Sequence, residues 1–411
     1  MASPTGCIDA SEHTGTWFGP PNATLEEAAS RGVLHSLAAI EHLAGAVETD
    51  PDHPPFAGWI MCLHYELGHV LEPAAGLRER HGDAVAHFLW CPDGWVYDGH
   101  TNQWWAMGDP PALGDPHDEF LQSTGPTVSR PTASEWPQMV ARAIEYIHAG
   151  DIFQVNISRQ LQLPVSGSPR GFARAALNEP QSGFGACLEL PGRDCTIVSL
   201  SPELFLHADE SGLITTRPIK GTLPADQPAE SLRNSDKDAA ELHMIVDLMR
   251  NDLGRMCKPG SVHVTCPRRI ESHQTVHHGV AEVQGQRCDG TSLADLLKAT
   301  FPAGSITGAP KIRAMQIANE LESTPRGPYC GAIGMLGPCG QVSLSVAIRT
   351  AIIAEGVLKY GVGCGVVADS DPLAELAESE AKAAVLWTAM KNASPPCEAP
   401  SAAAASPQLH A

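Results

Sequence analysis

Two stretches of this chain put carboxylates where a packed helix should be apolar, and that conflict constrains the fold more than any other feature. At 100° per residue, Leu242, Met244, Ile245, Val246, Leu248, Met249 and Leu253 of the segment Asp238–Leu253 sweep one broad arc, and Asp238 and Glu241 fall inside it. In Glu375–Met390, preceded by the helix start Asp371-Pro372, Glu375, Glu378 and Lys382 share a stripe with Val385 and Leu386. Each predicted helix therefore aims two carboxylates, at i and i+3, toward its packing surface. An unpaired ionised carboxylate is costly to bury, so such groups require a cation, a metal or a proton. Oxygen-only ligands suit Mg2+, which keeps waters and takes one or two protein carboxylates with an anionic substrate group. The alternative is salt-bridged acids at the edge of an ordinary stripe, and angles alone do not bring the two helices face to face.

A net charge of −20 and no cluster of Lys and Arg argue against a nucleic-acid or anionic-membrane partner. An anionic substrate would need local cations or a metal. No run approaches the roughly 20 apolar residues that span a bilayer, and the start Met1-Ala2-Ser3-Pro4 does not read as a signal peptide. The 12 cysteines are scattered with no C-x-x-C pair, which predicts reduced thiols and, by elimination, a cytoplasmic protein.

Along the chain, 1–24 reads as a frayed lead-in and 25–47 as an Ala-rich helix. Residues 106–134 carry Gly, Pro, Asp and Ser without periodicity and read as a linker or surface loop. The resulting division is an N-terminal region 1–134, a catalytic region 135–390 and a disordered, low-complexity tail 391–411.

The blocks Pro218-Ile219-Lys220-Gly221-Thr222, Met244 to Leu253, Phe301 to Lys311, Gly327 to Gly334, Ala347-Ile348-Arg349-Thr350 and Gly361 to Pro372 resemble those of the chorismate-utilising enzymes. The resemblance runs from about Trp136 to Met390 and includes anthranilate synthase component I, aminodeoxychorismate synthase component I, and isochorismate and salicylate synthases. It implies an α/β (α+β) fold of two facing β-sheets flanked by helices, with the active site in the cleft between them. It also implies that Glu241 and Glu378 ligate Mg2+, with Glu375 and Asp238 as a second pair acting directly or through water. Arg349 and Tyr329 would hold the enolpyruvyl carboxylate, since a guanidinium pairs bidentately with a carboxylate. Gly221, Thr222, Gly363, Cys364 and Gly365 would offer N–H groups to the substrate, with Thr307 also facing it and Lys382 balancing charge beside Glu378. The Gly361-x-Gly363-x-Gly365 run is not a dinucleotide fingerprint, because its third glycine comes too early.

Three positions separate the reactions within the family. Glu203, in Ser201-Pro202-Glu203, resembles the general acid that protonates the leaving hydroxyl. Lys220 stands where anthranilate and isochorismate synthases typically carry Ala and aminodeoxychorismate synthases carry Lys. By resemblance it attacks the ring carbon vacated as hydroxyl leaves, and ammonia then displaces it to give 4-amino-4-deoxychorismate. Gln154 stands where water-using relatives place a basic Lys, and a carboxamide cannot deprotonate water. His278 matches a histidine near the ring, assigned to stabilising or relaying charge.

Departures also occur. Gly279-Val280-Ala281 replaces the usual Leu-Val-Ser, and Glu375-Leu376-Ala377-Glu378-Ser379 replaces Glu-Tyr-x-Glu-Thr. No Leu-Leu-Glu-Ser effector motif is present, so tryptophan feedback is not predicted. No Gly-x-Cys-x-Gly glutaminase segment is present either, so glutamine-derived ammonia would come from a separate subunit. The leading expectation is an aminodeoxychorismate synthase component I of 4-aminobenzoate (folate) biosynthesis. The alternatives are anthranilate synthase component I and a degenerate, non-catalytic chorismate-binding subunit.

Overall fold

The computed structural model describes residues 37, 40, 41, 58–76, 84–91, 94–98, 103–107, 119–178, 183–190 and 192–394. Within them the chain builds two large, wholly antiparallel sheets. The first has nine strands, in the order Ile219–Pro224, Val276–Gln286, Leu213–Arg217, Leu204–Ala208, Val342–Val346, Ala332–Leu336, Gly58–Leu63 and Ala86–Cys91, with His263–Ser272 on the other side of Val276–Gln286. The second has eight, in the order Gly308–Ala309, Gln154–Gly167, Val357–Val366, Thr350–Ala354, Cys195–Ser201 and Phe184–Glu189. Its remaining strands, Leu121–Ser123 and Val128–Arg130, both pair with Gln154–Gly167.

The alternation along Gln154–Gly167 explains how the second sheet is covered. Val155, Ile157, Leu161, Leu163 and Val165 bury against helices, whereas Gln154, Asn156 and Ser158 point to the other face. Helices Trp136–His148, Pro169–Leu177, Lys311–Leu321 and Pro372–Ala393 supply that covering. The first sheet packs on helices Asp236–Gly254 and Leu293–Thr300 in the largest apolar cluster. The uncovered faces meet through Cys62 and Ile333 of the first sheet and Leu188 and Ile197 of the second. The two sheets face one another, as the resemblance implies.

Both acid helices form, as Asp236–Gly254 and Pro372–Ala393. Ser235 caps the first by accepting from the Asp238 N–H, and Asp371 caps the second through Leu373 and Ala374, with Pro372 in its first turn. Two structural features cut across the regions expected from the sequence. The stretch 106–134 is not simply a loop, since its three-residue strands 121–123 and 128–130 are made by pairing with a 14-residue partner and carry no periodicity of their own. Strands 58–63 and 86–91 complete the first sheet, so both sheets cross the boundary drawn at residue 134. Of the helix expected at 25–47, Leu37, Ile40 and Glu41 are helical and the rest lies outside the described residues, as do residues 1–24 and 395–411. Among the described residues no helix is long and apolar enough to cross a membrane.

Candidate active site between the sheets

Lys220 lies on a bulge. Ile219 pairs with Val280 and Thr222 with His278, so three steps on one strand oppose two on the other. Pro218, which has no N–H to donate, separates this strand from Leu213–Arg217, and Gly221 takes a φ of +80°. A Cβ at Gly221 would meet Asp238 Cγ at 2.9 Å, so the first turn of the acid helix rests on the bulge.

Glu203 and Arg349 occupy two neighbouring crossings between the sheets. The chain leaves the second sheet after Ser201 and enters the first at Leu204; it returns between Val346 and Thr350. The crossings are tied by Val346 N–H to Glu203 O and Leu200 N–H to Arg349 O, both 3.0 Å. Arg349 turns with φ +52°, a conformation that non-glycine residues adopt at a cost.

Glycines in the strand Val357–Val366 clear the floor of the cleft. Gly361, Gly363 and Gly365 share one face of a strand interior. The Tyr329 ring packs against Gly361. A Cβ at Gly365 would stand 3.2 Å from Lys220 Nζ and 3.4 Å from Gln154 Cδ, which brings Lys220 of the first sheet to Gln154 of the second. Asn156 pairs with Gly365 and Ser158 with Gly363. Their own N–H groups go elsewhere, to Thr307 O at 2.7 Å and Glu322 Oε1 at 2.8 Å. Antiparallel alternation therefore turns the Gly363 and Gly365 N–H groups to the outer edge, which Thr350–Ala354 leaves uncovered beyond residue 360. Lys382 Nζ donates to Gly363 O there at 2.9 Å and pairs with Glu378 Oε1 at 2.7 Å.

Two of the residues expected to face the substrate make contacts within the protein. The Cys364 N–H faces Ile157 in the ladder, and its thiol donates to Glu375 O at 3.2 Å. The Thr307 hydroxyl donates to Ala303 O at 3.0 Å, closing its own turn.

The electrostatics favour neutral forms at the centre. Burial pushes the Glu203 carboxyl up to about 7, against the opposing pull of the Ser305 hydroxyl and Lys220. Burial also lowers the Lys220 ammonium, with Lys382 adding to it and Glu241, Glu203 and Glu378 opposing. Lys220 has no carboxylate within ion-pairing distance among the described residues. His278 is brought down to about 4 by burial, Arg349 and His273, so its imidazole is neutral at neutral pH. Its Nδ1 lies 3.0 Å from the Thr222 hydroxyl. Glu203 Oε1, His278 Nε2, Arg349 Nη1 and both ends of the Gln154 carboxamide are buried without a protein partner. Buried polar atoms are normally paired, so such a concentration marks a ligand-facing surface.

Charge on Glu378 of the second acid helix reaches Glu241 of the first. Glu241 is pushed up by burial, and Asp238 and Glu378 add to that, against Lys220 and Lys237. Glu375 is set further back, its carboxylate accepting from Ser370 at 2.7 Å. Among the described residues Cys364, Glu375 and Glu378 bring potential ligand atoms within 4.8 Å. Burial raises the Cys364 thiol, however, and a coordinating thiol must be deprotonated, so this trio does not suit a thiophilic metal.

Asn156 and Ser305, also buried with unpaired polar atoms, were not singled out by the sequence reading. The signal for Asn156 was available, as polar residues alternating with Val155 and Ile157 in one strand.

The sequence signature of chorismate binding enzymes matches residues 9–388. The chain belongs to the chorismate binding enzyme family. Among its relatives, aminodeoxychorismate synthase component 1 of Salmonella typhimurium is 45% identical over 260 residues, covering 61% of this chain and 56% of the relative. The chain thus spans little more than half of that relative. Anthranilate synthase component 1 of Streptomyces coelicolor is 39% identical over 401 residues, covering 86% of this chain and 76% of the relative. The crystal structure of anthranilate synthase component I from Streptococcus pneumoniae superposes with a TM-score of 0.75 at 29% identity, covering 84% of each chain. This chorismate binding enzyme therefore has close relatives with two different reactions.

Proposed function

We propose that this chain aminates chorismate to 4-amino-4-deoxychorismate, using ammonia that a separate glutaminase subunit releases from glutamine. The observation that carries the reading is Lys220, a half-buried amine with no ion-pair partner among the described residues, set against Gly365 beside a carboxyl whose pKa is about 7. In this reading Glu203, in its protonated form, gives its proton to the leaving ring hydroxyl, which departs as water. The neutral Lys220 amine forms a C–N bond to the ring as the C–O bond breaks. Ammonia then forms its own C–N bond and displaces Lys220, which is restored as the free amine. Neutral His278 hydrogen-bonds the reacting hydroxyl, and Arg349 with Tyr329 receives the enolpyruvyl carboxylate. Gln154 cannot take a proton from water, which disfavours hydration.

The oxygen-only pair Glu241 and Glu378, whose like charges act on each other, would suit Mg2+. Those two residues would hold the ion, with Asp238 and Glu375 behind them. When bound, the ion supplies positive charge that fixes and neutralises a substrate carboxylate.

A second reading, conversion of chorismate to anthranilate and pyruvate, is favoured by the longer match to anthranilate synthase component 1. Incubation of the chain with chorismate, Mg2+ and ammonium separates the two: the proposal expects 4-amino-4-deoxychorismate and no fluorescent anthranilate. Lys220→Ala is expected to abolish that product while chorismate still binds. Product formation by Lys220→Ala at the wild-type rate would overturn the assignment.

A further inference from the structure

Arg268, on the strand His263–Ser272, has no carboxylate in ion-pairing contact among the described residues and spends its guanidinium on main-chain carbonyls instead. Nη2 donates to Leu232 O at 2.5 Å, and Nη1 reaches Ser235 O at 3.3 Å and Arg233 O at 3.4 Å. These carbonyls form the joint between the short helix Ala229–Arg233 and the acid helix Asp236–Gly254. Both sides of the joint touch the bulge: a Cβ at Gly221 would lie 2.7 Å from Leu232 Cδ1 and 2.9 Å from Asp238 Cγ. The strand behind the bulge is close as well, because a Cβ at Gly279 would lie 2.5 Å from Lys220 O and 3.8 Å from Arg268 Nε.

At the bulge itself Gly221 is conformationally permissive, and Pro218 donates no ladder bond, although its carbonyl accepts from the Ala281 N–H at 3.1 Å. Three diverging carbonyls need a planar fork with several donors, which arginine has and lysine lacks. We propose that Arg268 is a positioning residue: by clamping the 232–235 joint it holds Leu232 and Asp238 down on Gly221, and so fixes the direction of Lys220 and of the first turn of the acid helix. Among the described residues Arg268 makes no hydrogen bond to Lys220. The claim that this orientation serves amination rests on the function proposed above.

The test compares wild type, Arg268→Lys and Arg268→Met in three measurements: hydrogen exchange, chorismate affinity by calorimetry, and ammonia-fed turnover. Misplacement of a reacting group by about 1 Å costs on the order of 100-fold. Arg268→Met is therefore expected to lower kcat by about that factor while the chorismate Kd changes by less than about threefold. Faster amide exchange should be confined to residues 219–222 and 235–241. Arg268→Lys, which keeps one donor for Leu232 O, should fall between the two. If Arg268→Met does not fold cooperatively, the comparison rests on Arg268→Lys alone. Unchanged exchange at 219–222 would overturn the proposal, as would equal losses in affinity and turnover. Exchange does not depend on turnover. If local exchange quickens but the wild type makes no 4-amino-4-deoxychorismate, the clamp stands and the functional reading fails.

Discussion

Gly365→Ala is the most economical probe of how the two sheets build the cleft. Alanine is intrinsically better than glycine in a strand interior by about 0.5–1 kcal/mol, so the backbone gives no reason for loss. The added methyl would stand 3.2 Å from Lys220 Nζ and 3.4 Å from Gln154 Cδ, and closer than 3.0 Å to Gln154 Nε2. Restoring an ordinary carbon contact of about 3.5–4.0 Å requires Gln154, Lys220 or both to move by roughly 1 Å. In an oriented site that displacement costs about 100-fold in rate. The assay is ammonia-fed conversion of chorismate followed by chromatography, run beside thermal melts. Gly254→Ala serves as the control, because a Cβ there meets nothing within 4 Å. The expected result is a kcat about 100-fold lower for Gly365→Ala and unchanged for the control, with a Tm no lower than wild type in either variant. Turnover of Gly365→Ala within about threefold of wild type would refute the contact between Lys220 and the glycine strand, and with it the geometry on which amination is argued.

Glu203→Gln should cut kcat far more than chorismate affinity and remove the limb of the pH–rate profile near 7. It should also change stability in a fixed direction. The folded chain keeps the Glu203 proton to about pH 7 whereas the unfolded chain releases it near 4.5, so wild type loses stability over that interval. Denaturant melts at pH 8 should find the Gln variant more stable by up to about 3 kcal/mol, as one unit is about 1.4 kcal/mol. Lys311→Met leaves Asp252 buried without its 2.6 Å partner and should cost about 3–5 kcal/mol in urea melts, most of it recovered in Lys311→Met/Asp252→Leu. Glu241→Gln should weaken Mn2+ binding, followed by electron paramagnetic resonance, by at least the about 10–100-fold that loss of an outer-shell partner costs.

Local information determined the parts that depend on angle and residue type. The acid helices were legible because 100° per residue fixes which side chains share a face wherever the helix packs. Their expected spans, 238–253 and 375–390, fall inside the observed Asp236–Gly254 and Pro372–Ala393. The chemically distinctive residues, Lys220, Glu203, Gln154 and Arg349, were visible from the blocks that contain them, and the structure brings them to one cleft. Tertiary structure decided the rest. That charge on Glu378 reaches Glu241 follows from which sheet each helix covers. That the Gly363 and Gly365 N–H groups face outward while that of Cys364 does not follows from pairing with residues about 200 positions earlier. The bulge under Lys220 and the crossings that carry Glu203 and Arg349 are likewise matters of register and sheet pairing. Periodicity is a property of neighbours along the chain, whereas register and the field inside a buried cleft are sums over groups that only folding brings together.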